Sequence, residues 1–551
     1  MPTINIDIKD LRRLIGLDLE DEKLIETLSA LKCEPEQIAG DKITLEVTPD
    51  RPDFFSCEGI ARGIRLYHGG SRFRIERYRG SEEVKIRVDP STADVRPYIV
   101  SAVVRGVTLD EEALIQIMQL QEKLHGTYCS NRRKGSIGIY DMDKVSPPLV
   151  YAALPPSEIS FVPLGYNEIM DGFEILKRTQ KGVEYSWILQ GMKRYPLLSD
   201  SKGKVLSMPP IINSEDTKVT QNTKNLVIDV TGTDERTINL CLNVLVTSLV
   251  ERGGTIEEVE IHYEGRKDKT PKLEGIHTNL SLSTIKKISG LDLETKEILK
   301  LLNKMGHEVE VRDEERLEVW SPPYRADILH EVDLVEDIVI AIGLNNLKPE
   351  APQVATIGRP IEGSRLKKRI RDLMIGMGFQ EVITYLLSNK SVLEEKTLMS
   401  KRELVELTNP VSSEFATLRD CILPKLLQFL SQNIHHPYPQ RIFECGDVVF
   451  VNEGFAKVST HLAAAIADHK VSYEDIQAVV ASLFVNLSKP IRFEPYSGHP
   501  FLEGRAARMI LEGIEIGVVG EISPQVLVNF NLESPVGAFE CDLSSLRIPK
   551  T

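Results

Sequence analysis

The sequence predicts an α+β protein of several domains, in which one small helix–strand–helix module occurs twice. Three observations lead to this fold class. The chain has 551 residues, a length that usually corresponds to roughly three or four domains. Segments with a helical apolar period alternate with short strand-like segments. The sequence Gly-Leu-Asp-Leu-Glu occurs at residues 16–20 and again at residues 290–294.

Both copies of the repeated module continue in the same order. After paired helices come strands, expected at residues 42–47 and 317–320, then a turn that contains proline, and a last helix. The turns end in the same Arg-X-Asp pattern, at residues 51–53 and 325–327. We therefore predict two equivalent modules, which occupy residues 1–84 and 269–350.

The last helix of the second copy is strongly acidic. No lysine or arginine lies between Arg325 and Lys348. We therefore expect no nearby basic residue to neutralise the acids Asp327, Glu331, Asp333, Glu336 and Asp337. Like charges one helical turn apart repel by roughly 0.2–0.5 kcal/mol per pair. Carboxylate oxygens without thiols favour a hard cation such as Mg²⁺, and a basic surface of a partner protein is the alternative.

Comparison of the two copies separates these acids into two groups. The three at positions 333, 336 and 337 are specific to the second copy, because the first has Gly59, Arg62 and Gly63 in their places. The module therefore folds without them. Asp327, by contrast, has a counterpart in Asp53, so a helix N-cap is a stronger interpretation for Asp327 than for the other three.

Residues 85–268 form a strand-rich α/β region between the two modules. Helices are expected at residues 111–125 and 235–251, and two glycines end the second. A polar linker is expected at residues 265–271. Strands are expected at residues 84–88, 99–105, 136–140, 182–189 and 226–230.

Asp229 is the most unusual residue of this middle region, because it lies inside an otherwise apolar strand. A buried carboxylate is costly unless it is hydrogen-bonded. Its expected partners are Ser207, Asn213, Thr231 and Thr233, and together they could bind a ligand that carries a hydroxyl group. The alternative is that Asp229 and the threonines only shape the start of the next helix.

The last region, residues 355–551, follows a linker at residues 348–352 and begins with a helix at residues 364–377. Helices and strands alternate after it. Two basic stretches, at residues 365–371 and 121–134, are most simply solvated faces, and a surface for a polyanion is the alternative. Arg441 and Glu444 lie on a predicted strand of an ordinary hairpin.

Residues 283–306 resemble a helix-turn-helix. Such pairs are far more often packing units than DNA readers. The second helix, at residues 295–305, also lacks the face rich in arginine, asparagine and glutamine that reads bases in the major groove. We therefore favour a packing role.

The composition is that of a globular protein. Of the residues, 42% are hydrophobic and 27% charged, and 67 basic and 81 acidic residues give a net charge of −14. This excess of acid argues against an indiscriminate coat for nucleic acid, although a local basic groove remains compatible with it. The seven cysteines are scattered and form no C-x-x-C pair, as expected for reduced thiols. With no apolar run long enough to span a bilayer and no signal-like N-terminus, we expect a cytoplasmic protein.

Several motifs, in family order, resemble the β-subunit of phenylalanyl-tRNA synthetase in its shorter, archaeal or eukaryote-like form. The match spans all four regions and includes the segments at residues 47–53 (VTPDRPD), 136–141 (SIGIYD), 208–214 (MPPIINS), 322–328 (PPYRADI) and 497–504 (SGHPFLEG). The resemblance implies an (αβ)₂ heterotetramer that joins phenylalanine to its tRNA with ATP. The α-subunit would hold the aminoacylation site and bind most of the ATP.

The resemblance also implies what this chain would carry. Residues 85–268 would be a tRNA-editing domain that hydrolyses tyrosine wrongly attached to tRNA(Phe). Residues 355–551 would be a class II synthetase-like antiparallel sheet domain without catalytic motifs. Carried over residue by residue, the editing pocket would consist of Leu198, Ser207, Asn213, Asp229, Thr231 and Thr233. A Mg²⁺ ion at the contact with the α-subunit would be held by Asp327, Asp333, Glu336 and Asp337.

One departure from the family pattern concerns the last region. The stretch after Gly517 lacks a G-x-G-x-x-x-R motif and offers no arginine for a triphosphate. We therefore expect no aminoacylation residue in this chain. Two other function classes stay open: a free-standing aminoacyl-tRNA deacylase, and a helix-turn-helix protein that binds nucleic acid and has no enzymatic role.

Overall fold

A computed structural model describes residues 1–69, 78–79, 84–544 and 546. The chain divides into two units, Met1–Ala351 and Pro352–Thr551. The structure is a mixed α+β arrangement with several sheets, as the sequence predicts. In the described part of the chain, no helix combines the length and apolar character needed to cross a membrane.

The first repeated module begins the first unit. Its strands are β1 (Thr3–Asp7), β2 (Cys33–Ala39) and β3 (Lys42–Val47), which pair antiparallel in the order β1-β3-β2. Its helices are α1 (Ile8–Ile15), α2 (Asp21–Ala30) and α3 (Cys57–Tyr67). Gly16 ends α1 in the left-handed conformation, with φ 65°. A residue with a Cβ atom adopts the left-handed conformation only at a steric cost, which explains why glycine occupies this position.

The middle region is built on one curled, mixed sheet. Its main path runs β13-β12-β11-β8-β5-β15-β6-β14-β7, and β4 and β16 pair with β15. The strands of the region are β4 (Tyr78–Arg79), β5 (Lys85–Val88), β6 (Tyr98–Arg105), β7 (Gly135–Asp141), β8 (Leu149–Leu154), β9 (Ser160–Phe161), β10 (Met170–Asp171), β11 (Tyr195–Ser199), β12 (Val205–Met208), β13 (Ile212–Asn213), β14 (Asn225–Gly232), β15 (Thr255–Tyr263) and β16 (Arg266–Thr270).

The helices of the middle region cover this sheet. They are α4 (Glu111–Gly126), α5 (Gly172–Arg178), α6 (Gln180–Tyr185) and α7 (Glu235–Val250). The side chain of Asp234 caps α7 by accepting a hydrogen bond from the Thr237 N–H. The apolar face of α7 packs on Leu226, Ile228 and Val230 of β14. Burial of each such side chain contributes about 1.5–3 kcal/mol, and the alternation turns Asp229 to the opposite face of the strand.

The second module repeats the first. Its strands β17 (Ile276–Ser281), β18 (Glu308–Val311) and β19 (Arg316–Ser321) pair antiparallel in the order β17-β19-β18. Its helices are α8 (Leu282–Ser289), α9 (Thr295–Lys304) and α10 (Glu331–Ile342). Both modules contribute to one hydrophobic core that also includes α7. The apolar side of α9 is part of that core, which agrees with the packing role predicted for the helix pair.

The second unit contains a largely antiparallel sheet in the order β20-β23-β24-β28-β27-β26-β25. Its strands are β20 (Gln380–Glu381), β21 (Leu387–Ser388), β22 (Thr417–Leu418), β23 (Gln440–Asn452), β24 (Phe455–Ala467), β25 (Arg492–Pro495), β26 (Phe501–Leu511), β27 (Ile514–Ile522) and β28 (Val536–Asp542). Its helices are α11 (Glu362–Gly376), α12 (Leu423–Gln432), α13 (Tyr473–Asn486) and α14 (Pro524–Asn529).

Two predicted elements differ in the structure. The strand expected at residues 182–189 is α6 followed by a 3₁₀ turn, because Thr179 caps α6 and Gly182 packs closely against the carbonyl of Ile175. The linker expected at residues 265–271 contains strand β16, because the edge of β15 offers it hydrogen-bond partners. The strand-like composition of residues 182–189 and the polar composition of residues 265–271 gave wrong predictions, because contacts with the rest of the fold determine the structure of both segments.

Candidate functional site

A cavity of about 160 Å³ lies in the middle region. Strands β7, β12 and β14 and helices α4 and α6 contribute to its walls. Strands β7 and β12–β13 lie at opposite ends of the order of the sheet, and the curl of the sheet brings them together around the cavity. The lining residues are Met118, Gln121, Glu122, Arg132, Ser136, Ile137, Gly138, Tyr140, Leu164, Lys181, Ser207, Pro209, Pro210, Ile211, Ile212, Asn213 and Asp229.

The floor of the cavity is a chain of three polar side chains. The Tyr140 hydroxyl lies 2.5 Å from Asp229 Oδ1 and 2.7 Å from Ser207 Oγ. The exposed fraction of each of these residues is 3% or less. Because a phenol has one proton, Tyr140 can donate it to Asp229 and accept a hydrogen bond from Ser207. Burial raises the pKa of Asp229 to about 7, although the Tyr140 hydrogen bond opposes the shift.

Gly138 makes this arrangement sterically possible. It lies opposite Asp229 in the register between β7 and β14. A Cβ atom at position 138 would lie 1.9 Å from the Tyr140 hydroxyl oxygen and 2.4 Å from Asp229 Oδ1. A side chain there would therefore displace the floor, so the position requires glycine.

The structure brings three of the six predicted pocket residues to the cavity. Ser207 and Asp229 form its floor with Tyr140, and Asn213, which pairs with Ser207 in the sheet, lines its wall. Leu198, the other neighbour of Ser207, is absent from this lining and belongs to the apolar cluster that also contains Tyr140. Its place in the editing pocket stays a prediction.

The two threonines are not among the residues that line the cavity. The buried Thr231 hydroxyl accepts a hydrogen bond from Arg96 Nε at 3.0 Å. Thr233 is exposed at the end of β14, where its hydroxyl lies 3.4 Å from the carbonyl of Arg133. The prediction that Asn213 and these threonines bond Asp229 is wrong, because among the described residues the partner of its side chain is Tyr140.

The mouth of the cavity carries charges. The Glu122 side chain is 47% exposed, and its carboxylate lies 2.8 Å from Arg132 Nη2 and 3.4 Å from Lys181 Nζ. His125 Nε2 accepts a hydrogen bond from the Ile137 N–H, so its proton is on Nδ1, which faces Glu122 at 3.3 Å. Burial opposes ionisation of Glu122, but the His125 hydrogen bond and the Arg132 charge hold the pKa of Glu122 well below its usual range.

Arg132 belongs to a strained turn. Ser130, Asn131 and Arg132 have φ values of 50°, 52° and 66°, and such a conformation costs about 1 kcal/mol or more for each residue that is not glycine. The turn is held because Arg96 donates hydrogen bonds to the carbonyls of Arg132 and Arg133. Arg132 in turn donates to the carbonyls of Pro210 and Ile211 in the opposite wall.

Sequence reasoning missed Tyr140, Gly138, Glu122 and Arg132 as site residues. The first two lie in the motif at residues 136–141, where Ser136, Gly138 and Tyr140 share one face of the strand and line the cavity, so strand alternation could have indicated them. The other two lie in the stretch at residues 121–134, whose basic character predicts a solvated face. That interpretation is wrong for Arg132, whose exposed fraction is 7%.

The acidic residues of the second module are already partnered. Arg325 makes two hydrogen bonds to Asp327, at 2.8 and 2.6 Å, and its Nη2 lies 2.8 Å from Asp337. His307 Nε2 lies 2.6 Å from Asp337 as well. Burial alone would raise the pKa of Asp337, but the charge of Arg325 and the His307 hydrogen bond hold it well below its usual range.

The other two acids of the predicted metal site have different partners. Asp333 accepts hydrogen bonds from the backbone N–H groups of Leu329 and His330 at the start of α10. Glu336 forms an ion pair with Lys32 of the first module, at 3.0 Å. The expectation that no nearby basic residue neutralises these acids is therefore wrong, since Arg325 and Lys32 both do so.

This arrangement does not fit a resident Mg²⁺ ion at Asp327, Asp333, Glu336 and Asp337. Mg²⁺ needs free carboxylate oxygens at about 2.0–2.1 Å, whereas both oxygens of Asp327 and one oxygen of each of the other three acids already bind a cation or an N–H group. Within the part of the chain that the structure describes, no group of three or more His, Cys, Asp or Glu side chains could hold a metal ion. The interpretation of Asp327 as a helix N-cap is also wrong, because His330 is the N-cap of α10.

The second unit places its polar residues in structural roles. The buried Glu444 accepts hydrogen bonds from Arg419 at 2.7 Å and from the Thr384 hydroxyl at 2.6 Å, while Arg441 is exposed. On α11, Lys367 pairs with Asp447 and Arg371 with Glu381, which supports a solvated basic face.

Models of three known domain families match segments of this chain. A model of the phenylalanyl tRNA synthetase beta chain CLM domain matches residues 347–543. Models of the tRNA synthetase B5 domain and of the B3/4 domain match residues 278–344 and 126–264. The cavity described above is built mainly from the B3/4 segment, and the acidic helix belongs to the B5 segment.

Whole-chain relatives extend the match. The phenylalanine–tRNA ligase beta subunit of Pyrococcus furiosus is 42% identical over 99% of this chain and 100% of that protein. The beta subunit of Korarchaeum cryptofilum is 39% identical over 100% of this chain and 99% of its own length. The crystal structure of an N-terminal fragment of the Pyrococcus horikoshii subunit covers 62% of this chain and 100% of the fragment, with 42% identity and a TM-score of 0.60. This chain therefore belongs to the family of phenylalanine–tRNA ligase β-subunits.

Proposed function

We propose that the chain works with an α-subunit in an (αβ)₂ heterotetramer that attaches phenylalanine to tRNA(Phe), and that its cavity hydrolyses tyrosine wrongly attached to this tRNA. The observation that carries the editing proposal is the floor of the cavity, where Ser207, Tyr140 and Asp229 offer hydroxyl and carboxyl groups in a buried site. Phenylalanine has no group that would bond to such a floor.

The chemistry of selection explains why a second site would be useful. A hydrophobic pocket that accepts phenylalanine rejects a ligand with one extra hydroxyl by only about 10²-fold. A site that hydrogen-bonds this hydroxyl can discriminate far more strongly, because buried polar groups are left unpaired by the ligand that lacks it. With a pKa of about 7, Asp229 can either donate to a phenol or accept from it at neutral pH.

Hydrolysis in this cavity would proceed without a covalent protein nucleophile. The Ser207 hydroxyl is committed to Tyr140, and no cysteine lines the described cavity. The residues would bind the amino acid, orient its ester and exclude bulk water, so that a positioned water attacks the ester carbonyl. Asn213 on the wall would supply an amide for orientation.

The domain boundaries remain our proposal: residues 1–84, the editing domain at 85–268, residues 269–350, and the class II synthetase-like domain at 355–551. The separate sheets of the two modules, of the middle region and of the second unit support this division. We assign ATP and the Mg²⁺ that accompanies it mainly to the α-subunit. No step is assigned to the acidic helix, because its carboxylates are partnered within the chain.

The test uses the ligase formed by this chain and its α-subunit. Purified parent enzyme should hydrolyse tyrosyl-tRNA(Phe), and Asp229→Ala should lower this rate by about 10-fold or more, while attachment of phenylalanine stays unchanged. An Asp216→Ala variant, which changes an exposed acid of the same region, serves as the matched control. An Asp229→Ala enzyme that clears tyrosyl-tRNA as fast as the parent contradicts the assignment.

A further inference from the structure

We propose that Glu122 binds the α-ammonium group of the aminoacyl ester, and that Arg132 is the positioning residue that holds Glu122 for this contact. The inference deepens the proposed editing function and rests on it. It concerns the mouth of the cavity, whereas the selection of tyrosine concerns the floor.

The cavity has a polarity that matches an aminoacyl ester. Its floor is buried and carries hydroxyl groups and an acid whose pKa lies near 7. Its mouth carries an ionised carboxylate on a side chain that is half exposed. The side chains of Leu164, Ile211 and Ile212 give the cavity an apolar part of its lining. A tyrosyl ester carries the corresponding groups: a phenol, an aromatic ring, and an ammonium beside the ester.

The placement of Glu122 follows from helix α4. Ala113, Ile117, Leu120 and Leu124 form the buried apolar face of this helix. Met118, Gln121 and Glu122 are spaced by three and four residues, which places them together on another face, and all three line the cavity. The carboxylate of Glu122 therefore faces the cavity because the core fixes the rotation of the helix.

The two carboxylate oxygens of Glu122 have different hydrogen-bond partners. Oε1 lies 2.8 Å from Arg132 Nη2 and 3.3 Å from His125 Nδ1, so this oxygen is fixed by two donors. Oε2 faces Lys181 Nζ at 3.4 Å, which is longer than a strong charge-assisted hydrogen bond. Lys181 also lies 3.3 Å from Glu184, so it keeps a carboxylate partner when a ligand ammonium replaces it at Oε2.

The burial and the contacts of Arg132 hold its guanidinium in one position. Its exposed fraction is 7%, its guanidinium bonds to the carbonyls of Pro210 and Ile211, and the ring of Tyr185 lies 4.5 Å from it. The three left-handed residues that end at Arg132 are a backbone arrangement that is retained only where the surroundings enforce it. The ion pair with Glu122 spans from this rigid turn to α4.

The experiment compares two substrates in the complete ligase with its α-subunit: tyrosyl-tRNA(Phe), and the same tRNA carrying N-acetyltyrosine, which has no ammonium. The parent enzyme should hydrolyse the N-acetyl substrate about 10-fold or more slowly. Glu122→Gln should lower the rate on tyrosyl-tRNA to about that level and leave the rate on the N-acetyl substrate nearly unchanged. Arg132→Met should reduce the ratio of the two rates in the same direction.

Glu184→Gln is the matched control, because Glu184 has the same exposure as Glu122 and contacts the same lysine but does not line the cavity. It should keep the parent ratio. Equal hydrolysis of both substrates by the parent, or an equal loss on both in Glu122→Gln, overturns the inference and leaves the editing function intact. A parent ligase that hydrolyses neither substrate, or an Asp229→Ala enzyme as active as the parent, refutes the proposed function instead, and the inference with it.

Discussion

The guanidinium of Arg325 lies 2.8 Å from the carboxylate of Asp337, in a pair whose side chains are 1% and 4% exposed. This pair distinguishes the second module from the first. In the first, glycine replaces Asp337 at position 63, where a Cβ would lie 2.8 Å from the Phe54 ring. Arg51 there stacks over that ring at 3.7 Å and pairs with Asp53.

The two modules therefore pair a buried arginine in two different ways. Each buries the arginine of its Arg-X-Asp turn, and a buried charge must be paired or it costs several kcal/mol. The first module uses one carboxylate and an aromatic face, and the second uses two carboxylates, of which Asp337 is also bonded to His307. The acids that suggested a metal site are thus explained by an arginine that the sequence shows only twelve residues away.

We expect Arg325→Met to lower the free energy of unfolding by about 3–5 kcal/mol, because it leaves the buried Asp337 without its cation. Arg312→Met, which removes an exposed cation paired with Glu318, should cost less than about 1 kcal/mol. Urea unfolding measures both. Similar losses in the two variants would show that the buried pair contributes no more to the free energy of unfolding than an exposed pair.

Magnesium should not change the stability of this chain on its own. Because Arg325 already pairs with Asp327 and Asp337, and Lys32 with Glu336, thermal unfolding in excess Mg²⁺ and in excess chelator should give the same midpoint. A higher midpoint in Mg²⁺, abolished by Asp337→Asn or Glu336→Gln, would restore the metal interpretation.

The stability that depends on Asp229 should change with pH. Its pKa is about 7 in the folded protein and 3.8 in the reference state. The protonated acid therefore stabilises the fold fully below about pH 4, and this contribution is lost as the pH rises through 7. Asp229→Asn, which cannot ionise, should gain in melting temperature relative to the parent between pH 5 and 8. Asp216→Asn should show no such trend.

Gly138→Ala should abolish most editing without loss of aminoacylation. The added Cβ would displace Tyr140 or Asp229 by an ångström or more, and a displacement of about 1 Å can cost about 10²-fold in rate. Deacylation of tyrosyl-tRNA(Phe) is the readout. Gly126→Ala, where nothing lies within 4 Å of the added atom, should edit at the parent rate.

This chain alone should not activate phenylalanine. Strand β27 carries no arginine for a triphosphate, and Glu444 in the second unit is bound to Arg419. Exchange of pyrophosphate that depends on phenylalanine should be undetectable without the α-subunit. Robust exchange by the purified chain, at a rate comparable with the complete ligase, would contradict this expectation.

The sequence by itself determined the features that are local or periodic. The repeat, the helices α4, α7, α10 and α11, and most strands follow from apolar spacing and from glycine or capping residues, which act within a few residues of each other. The motifs also sufficed to place the chain in its family. Asp229 could be singled out because a carboxylate inside an apolar strand is costly wherever the strand lies.

Only the tertiary structure decided which residues meet. Tyr140 and Ser207 lie on strands at opposite ends of the sheet order, and the curl of the sheet joins them. Lys32 reaches Glu336 across more than three hundred residues of sequence, and Arg325 turns inward to neutralise Asp337. The net charge of a sequence window cannot predict such pairs, because long-range packing selects the partner of each charge.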